Sequence, residues 1–336
     1  MRCGRGENRV KAVTFNQYGS LDGLRLEEIE KPVPADDQVL VRIAATSVNY
    51  NTMLMITGKV LIARMMLGGL FKPKYTIPGN DLAGWVEAVG AKVTRFKPGD
   101  QVFGDTSEAG FGTFAEYAAV PETALTHKPV GVSFENAAAA PEAALVALQG
   151  LRDLGRIEAG QKVLIVGASG GIGTFAVQLA KHFGAEVTAV CSTRNLDLVR
   201  ALGADHVIDY TQTDFTRGGR AYDLIVATLG YRPIADYRRI LTPQGRYVST
   251  GGALRQVFEA LLLGPMLSRS AGRKFSALMM KPNKDLALIG SLLESGAIRS
   301  VIDRCYPLSE AAEALRYYST GRARGKVVIS IAPEGA

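Results

Sequence analysis

Two textures divide the chain. Across residues 10–130, apolar positions come in short runs or alternate with polar ones, at 10–15, 39–45, 84–89, 101–104 and 114–120. Gly, Pro and Asp punctuate them, as in IPGND (77–81) and KPGD (97–100). Short alternating runs bounded by turn residues predict β-strands. From Phe134 the pattern changes. ENAAAAPEAALVALQGLRDLG is Ala-rich and helical in character, interrupted by Pro141. Beyond it, compact apolar runs at 163–166, 186–190, 206–208, 223–227 and 245–249 alternate with helical stretches. That βαβ rhythm predicts an α/β fold with a doubly wound parallel sheet. The chain closes on a predicted strand at 301–306, a helix in SEAAEALRYYST with Ser309 as its expected N-cap, and a strand at 327–331. It shows no internal repeat and no low-complexity linker.

One junction in the second half carries chemistry. The apolar run VLIV (163–166) suits a strand buried on both faces of a parallel sheet. It enters a turn with Gly167, Gly170, Gly171 and Gly173, and the string from Ala168 to Gly173 reads AxGxxG. Glycine permits the tight turn, a close approach of the backbone to a pyrophosphate, and tight packing of the next helix on the strand. The helix that follows has apolar residues at Phe175, Val177, Leu179, Ala180 and Phe183, with Gly184 as the expected C-terminal cap. Its N-terminus would offer unpaired N–H groups and partial positive charge to phosphates. Strand, turn, helix and second strand in this order predict dinucleotide binding through Ser169, Gly170, Gly171, Ile172 and Gly173.

The end of the second strand refines that expectation. NAD sites carry an Asp or Glu there, which holds the ribose 2′-hydroxyl and would repel a 2′-phosphate. Here the chain reads Cys191, Ser192, Thr193, Arg194. Two hydroxyls and a guanidinium suit a phosphate dianion, so NADPH is the expected cofactor. The plainer alternative is a polar loop with an ordinary surface Arg.

Composition sets limits. With 336 residues, 47% hydrophobic and 21% charged, the chain has enough for two globular domains. The basic start MRCGRGENRV has no apolar stretch to make a signal peptide, and no apolar run is long enough to span a bilayer. Three cysteines (Cys3, Cys191, Cys305) make no disulfide framework and fit a cytoplasmic protein. The net charge is +7. Its Lys and Arg are scattered rather than gathered with aromatics in one stripe, so no nucleic-acid partner is expected; attraction of a polyanionic cofactor accounts for the charge.

Several motifs, in order and spacing, resemble the medium-chain dehydrogenase/reductase superfamily. They are SVN (47–49), IPGNDLAGWVEAVG (77–90), VTRFKPGDQVFGD (93–105), GFGTFAEYAAVP (110–121), GASGGIG (167–173), LGADHVIDY (202–210), STGG (249–252) and RGKVVI (324–329). The chain is most similar to the zinc-free quinone oxidoreductase branch and its reticulon-interacting relatives. The resemblance implies a β-rich GroES-like catalytic domain from residues 1–125 and 276–336, a Rossmann NADP-binding domain from 126–275, and an active site between them. It also implies a homodimer.

The resemblance further implies a metal-free site. Zinc alcohol dehydrogenases place Cys where this chain has Asn49, His-Glu where it has Asn80 and Asp81, and four Cys in a loop that here reads FGDTSEAGFGTF. Zinc needs thiolate, imidazole or carboxylate ligands, and His127, His182 and His206 are isolated in sequence. Without a Lewis acid, the expected acceptors are small hydrophobic molecules that take hydride readily: quinones, or C=C bonds conjugated to a carbonyl. An enoyl-thioester reductase and a low-turnover NADPH-responsive binding protein are the alternatives.

By family position, Asn49 and Tyr50 are the catalytic candidates. Asn49 is expected near the nicotinamide and its ribose. The Tyr50 phenol is either a proton donor or a packing aromatic, and Tyr75 has the same standing. Tyr210 matches a position beside the adenosine end, Lys326 a lysine that approaches the cofactor from the last strand, and Gly251 the end of the strand facing the nicotinamide. Thr52, Leu54 and Val146 stand where relatives carry an Asp, an aromatic and a Thr, which predicts a more apolar pocket wall. The segment 60–75, rich in Met and Leu with Arg64, Lys72 and Lys74, is a lid, a membrane or partner contact, or an amphipathic loop packed on its own domain.

Overall fold

Strands form where the alternation places them. The computed structural model describes residues 9–59, 64, 69–229, 232–251, 259 and 272–331. The start of the basic N-terminal extension, and residues 60–63 and 65–68 of the segment 60–75, lie outside the described residues. β1 (Arg9–Thr14) pairs antiparallel with β2 (Arg25–Glu30). β3 (Gln38–Val48), β4 (Asp81–Val89), β5 (Gln101–Asp105), β6 (Tyr117–Pro121) and β7 (Leu125–His127) are antiparallel, with β3 joined to both β4 and β6. Val39, Val41, Ile43, Leu82, Val86, Val102 and Val120 form a core across these strands. α1 (Tyr50–Thr57) follows β3 directly and ends at Gly58, whose φ of 53° closes the helix in the left-handed region. α2 (Phe134–Ala138) is capped by Ser133, whose hydroxyl accepts from the Asn136 N–H.

Pro141 does interrupt the Ala-rich stretch: a new helix, α3 (Pro141–Leu148), begins at it. A π-helical turn over Gln149–Leu154 continues the helix, with the Gly155 N–H donating five residues back to the Gly150 carbonyl. The second unit then alternates strand and helix. It contains β8 (Lys162–Val166), α4 (Gly171–His182), β9 (Glu186–Cys191), α5 (Leu196–Ala201), β10 (His206–Asp209), β11 (Tyr222–Ala227), α6 (Ile234–Arg239), β12 (Leu241–Ser249) and β13 (Lys274–Ala277). All six strands are parallel, in the order β10-β9-β8-β11-β12-β13. That is the doubly wound order in which the first strand lies beside the reversal point. Tyr222, Tyr237, Tyr247 and Phe275 pack with Leu164, Val190 and Ile225 on one face.

The chain then returns to the first unit through α7 (Leu286–Glu294), β14 (Ile302–Pro307), α8 (Ala311–Ser319) and β15 (Lys326–Ser330). β15 pairs with β3 and completes a seven-stranded sheet, with β14 at its edge. Val327, Ile329, Leu315 and Ala314 bury against Phe15, Val48, Ile56 and Phe114. Ser309 does not cap α8. It sits inside a 3-10 turn, Leu308–Glu310, and Glu310 occupies the cap position without a side-chain bond.

Contacts divide the chain into two units: residues 1–142, 282–294 and 302–336, and residues 143–281 and 295–301. The family resemblance implies borders at 125/126 and 275/276. The first unit extends to Glu142 because that residue is hydrogen-bonded to Asn80 and Asp81.

Candidate cofactor and active sites

In the second unit two glycines of the turn answer steric constraints within the protein. Gly167 has φ +81°, and a Cβ there would lie 2.8 Å from Thr228 Oγ1. At Gly173 a Cβ would lie 2.1 Å from the Gly167 carbonyl, so only glycine lets α4 rest on the turn. Gly170 differs. A Cβ there would meet only the Gly167 oxygen, at an ordinary 3.5 Å. Packing within the protein does not demand glycine at this place; a group above the turn would. Gly170 is also the N-cap of α4 and offers no side chain to the first-turn N–H groups of Gly171, Ile172 and Gly173. Those donors are available to an anion, and the turn fits a dinucleotide pyrophosphate. The N–H groups of Gly167 and Ala168 both reach the Val190 carbonyl, tying the turn to β9. The Thr228 hydroxyl braces it from just past β11, 3.0 Å from the Val166 oxygen and 3.2 Å from that of Gly167.

At the end of β9, Cys191 is buried, and burial, followed by the Asp209 charge, pushes its thiol up to about 11. A neutral thiol therefore stands where a carboxylate would reject a 2′-phosphate. Ser192 is half-buried, and Thr193 and Arg194 are exposed. Thr193 is engaged elsewhere: its hydroxyl donates to the Asp209 carboxylate at the end of β10. That bond, with a second from Thr211, holds Asp209 below the usual carboxylate range. Tyr210 is exposed, and its N–H donates to the Cys191 carbonyl at 3.1 Å. Gly251 lies just past β12, where a Cβ would come within 2.9 Å of the Thr228 carbonyl.

Asn195 was not legible as a site residue. Its side chain is buried, and its Nδ2 donates to Ser169 Oγ at 2.8 Å and to Ser192 Oγ at 3.3 Å. It joins the glycine turn to the turn after β9. In the structure it stands at the N-cap position of α5.

In the first unit, Asn49 stands at the start of α1 and gives that helix no side-chain cap. Its amide is spent inside the protein. Nδ2 donates to Asp81 Oδ2 at 2.7 Å and to Asn80 Oδ1 at 3.3 Å, and Oδ1 accepts from Lys326 Nζ. Lys326 opens β15, is 3% exposed, and lies 3.5 Å from Asp81. Ser47 and the Glu142 N–H complete the Asp81 carboxylate, at 2.7 and 3.0 Å. Asn80 donates to Glu142 Oε2 at 2.8 Å and accepts from Thr52. Asp105 sits directly across the β4–β5 ladder from Asp81. Burial, then the Asp81 charge, raises its carboxyl to about 7. Burial raises Glu142 to about 8, helped by Asp81 and Asp105 and opposed by Lys326.

The surroundings of the Asn49 amide are thus polar and charged. Tyr50 beside it is 45% exposed. Tyr75 packs on Phe111 with ring centroids 5.9 Å apart, a core contact. The Tyr318 hydroxyl is raised by burial and then by Glu142.

A zinc ion does not fit this donor set. Asn49 and Asn80 present amides rather than thiolate or imidazole, and the buried Lys326 ammonium already occupies the cationic position beside Asp81. Among the described residues no three His, Cys, Asp or Glu are arranged to hold a metal.

Residues 35–130 match the model of an alcohol dehydrogenase GroES-like domain, and residues 202–329 that of a zinc-binding dehydrogenase. A 2-methylene-furan-3-one reductase from Solanum lycopersicum is 35% identical over 97% of this chain and 80% of its own length. An NADPH-dependent alkenal/one oxidoreductase, chloroplastic, from Arabidopsis thaliana is 34% identical over 95% of this chain and 79% of its own. The solved quinone oxidoreductase of Coxiella burnetii superposes with a TM-score of 0.84 at 28% identity, covering 96% of this chain and all of that one.

Proposed function

Because this chain belongs to the quinone oxidoreductase-like branch of the medium-chain dehydrogenase/reductase superfamily, we propose that it is a zinc-independent, NADPH-dependent oxidoreductase. Its acceptor is a quinone or the C=C bond of an α,β-unsaturated carbonyl. The observation that carries the cofactor choice is the end of β9, where a neutral Cys191 is followed by Ser192 and Arg194.

When bound, the nicotinamide supplies the hydride. The chain's own residues bind and orient. The first-turn amides of α4 would hold the pyrophosphate over the open space at Gly170. Ser192 and Arg194 would serve the 2′-phosphate and Tyr210 the adenosine end, and Gly251, where a Cβ would meet the Thr228 carbonyl, would stand by the nicotinamide at the end of β12. Asn49 acts by holding Lys326, since both of its amide hydrogens are committed to Asp81 and Asn80. Charge that moves onto the acceptor oxygen calls for a hydrogen-bond donor, and the exposed phenol of Tyr50 is one.

Oxidation of NADPH by a panel of quinones, enones and enoyl thioesters, on enzyme assayed for zinc, tests the reading. Turnover of quinones or enones by enzyme with substoichiometric zinc supports it. Turnover of enoyl thioesters alone, activity that tracks a stoichiometric zinc, or tight NADPH binding with no turnover overturns it. The relatives named above for enone and quinone chemistry are the support for this acceptor class. A homodimer through an edge strand of the six-stranded sheet and a cytoplasmic site belong to the same proposal, and light scattering of the purified protein tests the first.

The cofactor assignment makes a sharper prediction. Each charge-assisted hydrogen bond to a phosphate contributes about 1.5–3 kcal/mol. The double variant Ser192→Ala/Arg194→Ala removes at least two such bonds and should therefore weaken NADPH binding about 100-fold or more while changing NADH binding little. Equal losses for both nucleotides, measured by fluorescence titration, would show that the turn does not read the 2′-phosphate.

A further inference from the structure

Asn195 forgoes two ordinary stabilisations. Asn at a helix N-cap normally accepts a bond from the first-turn backbone, yet at the start of α5 its side chain makes no cap bond. Its Oδ1 is buried with no hydrogen-bond partner among the described residues, an arrangement that costs free energy. What the side chain does instead is bridge two serines, one in each half of the dinucleotide site.

The polarity of that bridge matters. A hydroxyl can accept and donate at once. By accepting from Asn195 Nδ2, the hydroxyls of Ser169 and Ser192 each keep their own proton for another acceptor. Phosphate oxygens without a proton only accept. Ser169 lies in the turn before α4, and Ser192 follows β9, so the two retained protons flank the places where pyrophosphate and 2′-phosphate are expected. Were the amide reversed, both hydroxyls would donate to Oδ1 and be lost to a ligand.

Building on the dinucleotide reading above, we propose that Asn195 is a positioning residue. It aims the Ser169 and Ser192 hydroxyls as donors toward the cofactor phosphates and thereby contributes to the choice of the 2′-phosphorylated dinucleotide. It need not touch the cofactor itself.

The test is direct titration of wild type, Asn195→Asp and Asn195→Ala with NADPH, NADH and 2′,5′-ADP, beside thermal melting and kcat at saturating NADPH. Asn195→Asp keeps the shape but can only accept, so it turns both serine protons inward. It should weaken NADPH and 2′,5′-ADP about 10- to 100-fold and NADH several-fold less, with kcat little changed. Asn195→Ala frees the hydroxyls without aiming them and should lose less, again more for NADPH. If the Asp variant does not fold, the Ala variant carries the test, since a selective loss of NADPH affinity at unchanged melting temperature is not a structural effect. Unchanged NADPH affinity, or equal losses for NADPH and NADH, overturns the role of Asn195. A wild type that fails to prefer NADPH overturns the cofactor reading and this role with it.

Discussion

Lys326→Met is expected to destabilise the protein by about 3–5 kcal/mol, the cost of leaving a buried ion pair with one partner. The ammonium is 3% exposed, hydrogen-bonded to Asn49 Oδ1 and 3.5 Å from Asp81. Around it are three buried carboxyl groups, Asp81, Asp105 and Glu142, on β4, on β5 and at the start of α3. Methionine matches the volume but not the charge, so the acidic groups would remain buried without a cation. Two further outcomes separate this cause from lost packing. The deficit should shrink as pH falls, because protonated carboxyls need no counter-charge. The double variant Lys326→Met/Asp81→Asn should recover much of the loss, since removing both partners spares the orphaned charge. Denaturant melts at several pH values measure both. A pH-independent loss under about 1 kcal/mol, as for a surface pair, would show that Lys326 does not neutralise this cluster.

That cluster also marks where sequence reasoning stopped. The glycine turn was legible because strand, turn and helix are contiguous and each glycine answers a local steric demand. The central strands were legible because apolar runs such as VLIV become strands buried on both faces. β2 was missed for the opposite reason: RLEEIE has no buried side chain to produce a pattern. Asp81, Asp105 and Glu142 sit in ordinary polar surroundings in the sequence, and only the β4–β5 register and the return of Glu142 onto Asp81 bring them together. Asp81 entered the sequence reading only as a departure from a zinc ligand pair, and nothing nearby in sequence announced that it would be matched by a lysine from the last strand. Asn195 was hidden differently. A cap residue is expected to serve its own helix, and its reach to Ser169 becomes visible only once β8 and β9 lie side by side.

Asp105→Asn is expected to stabilise the protein at alkaline pH, an unusual direction for a substitution at a buried position. In the folded chain burial, then the neighbouring Asp81 charge, raises the Asp105 carboxyl to about 7; unfolded, it titrates near ~3.9. Between those values the folded state holds a proton that the unfolded state has released. The group's contribution to stability is therefore fully present below about pH 4 and is lost as pH rises through about 7. Asparagine carries no such charge. It keeps an oxygen that can accept from the Ser107 N–H, and its new donor replaces Oδ2, an atom without a hydrogen-bond partner among the described residues. The unpaired donor costs part of the gain. The variant should lie near or slightly below wild type at pH 5 and about 1–3 kcal/mol above it at pH 8–9. Glu142→Gln should change with the same sign over a window reaching about 8, less whatever its position near Lys326 contributes. Urea midpoints of wild type and Asp105→Asn at unit steps from pH 5 to 9 read the difference directly. A difference that stays flat or falls with pH would mean that Asp105 is charged in the folded protein throughout, and that the β4–β5 carboxylates share no proton.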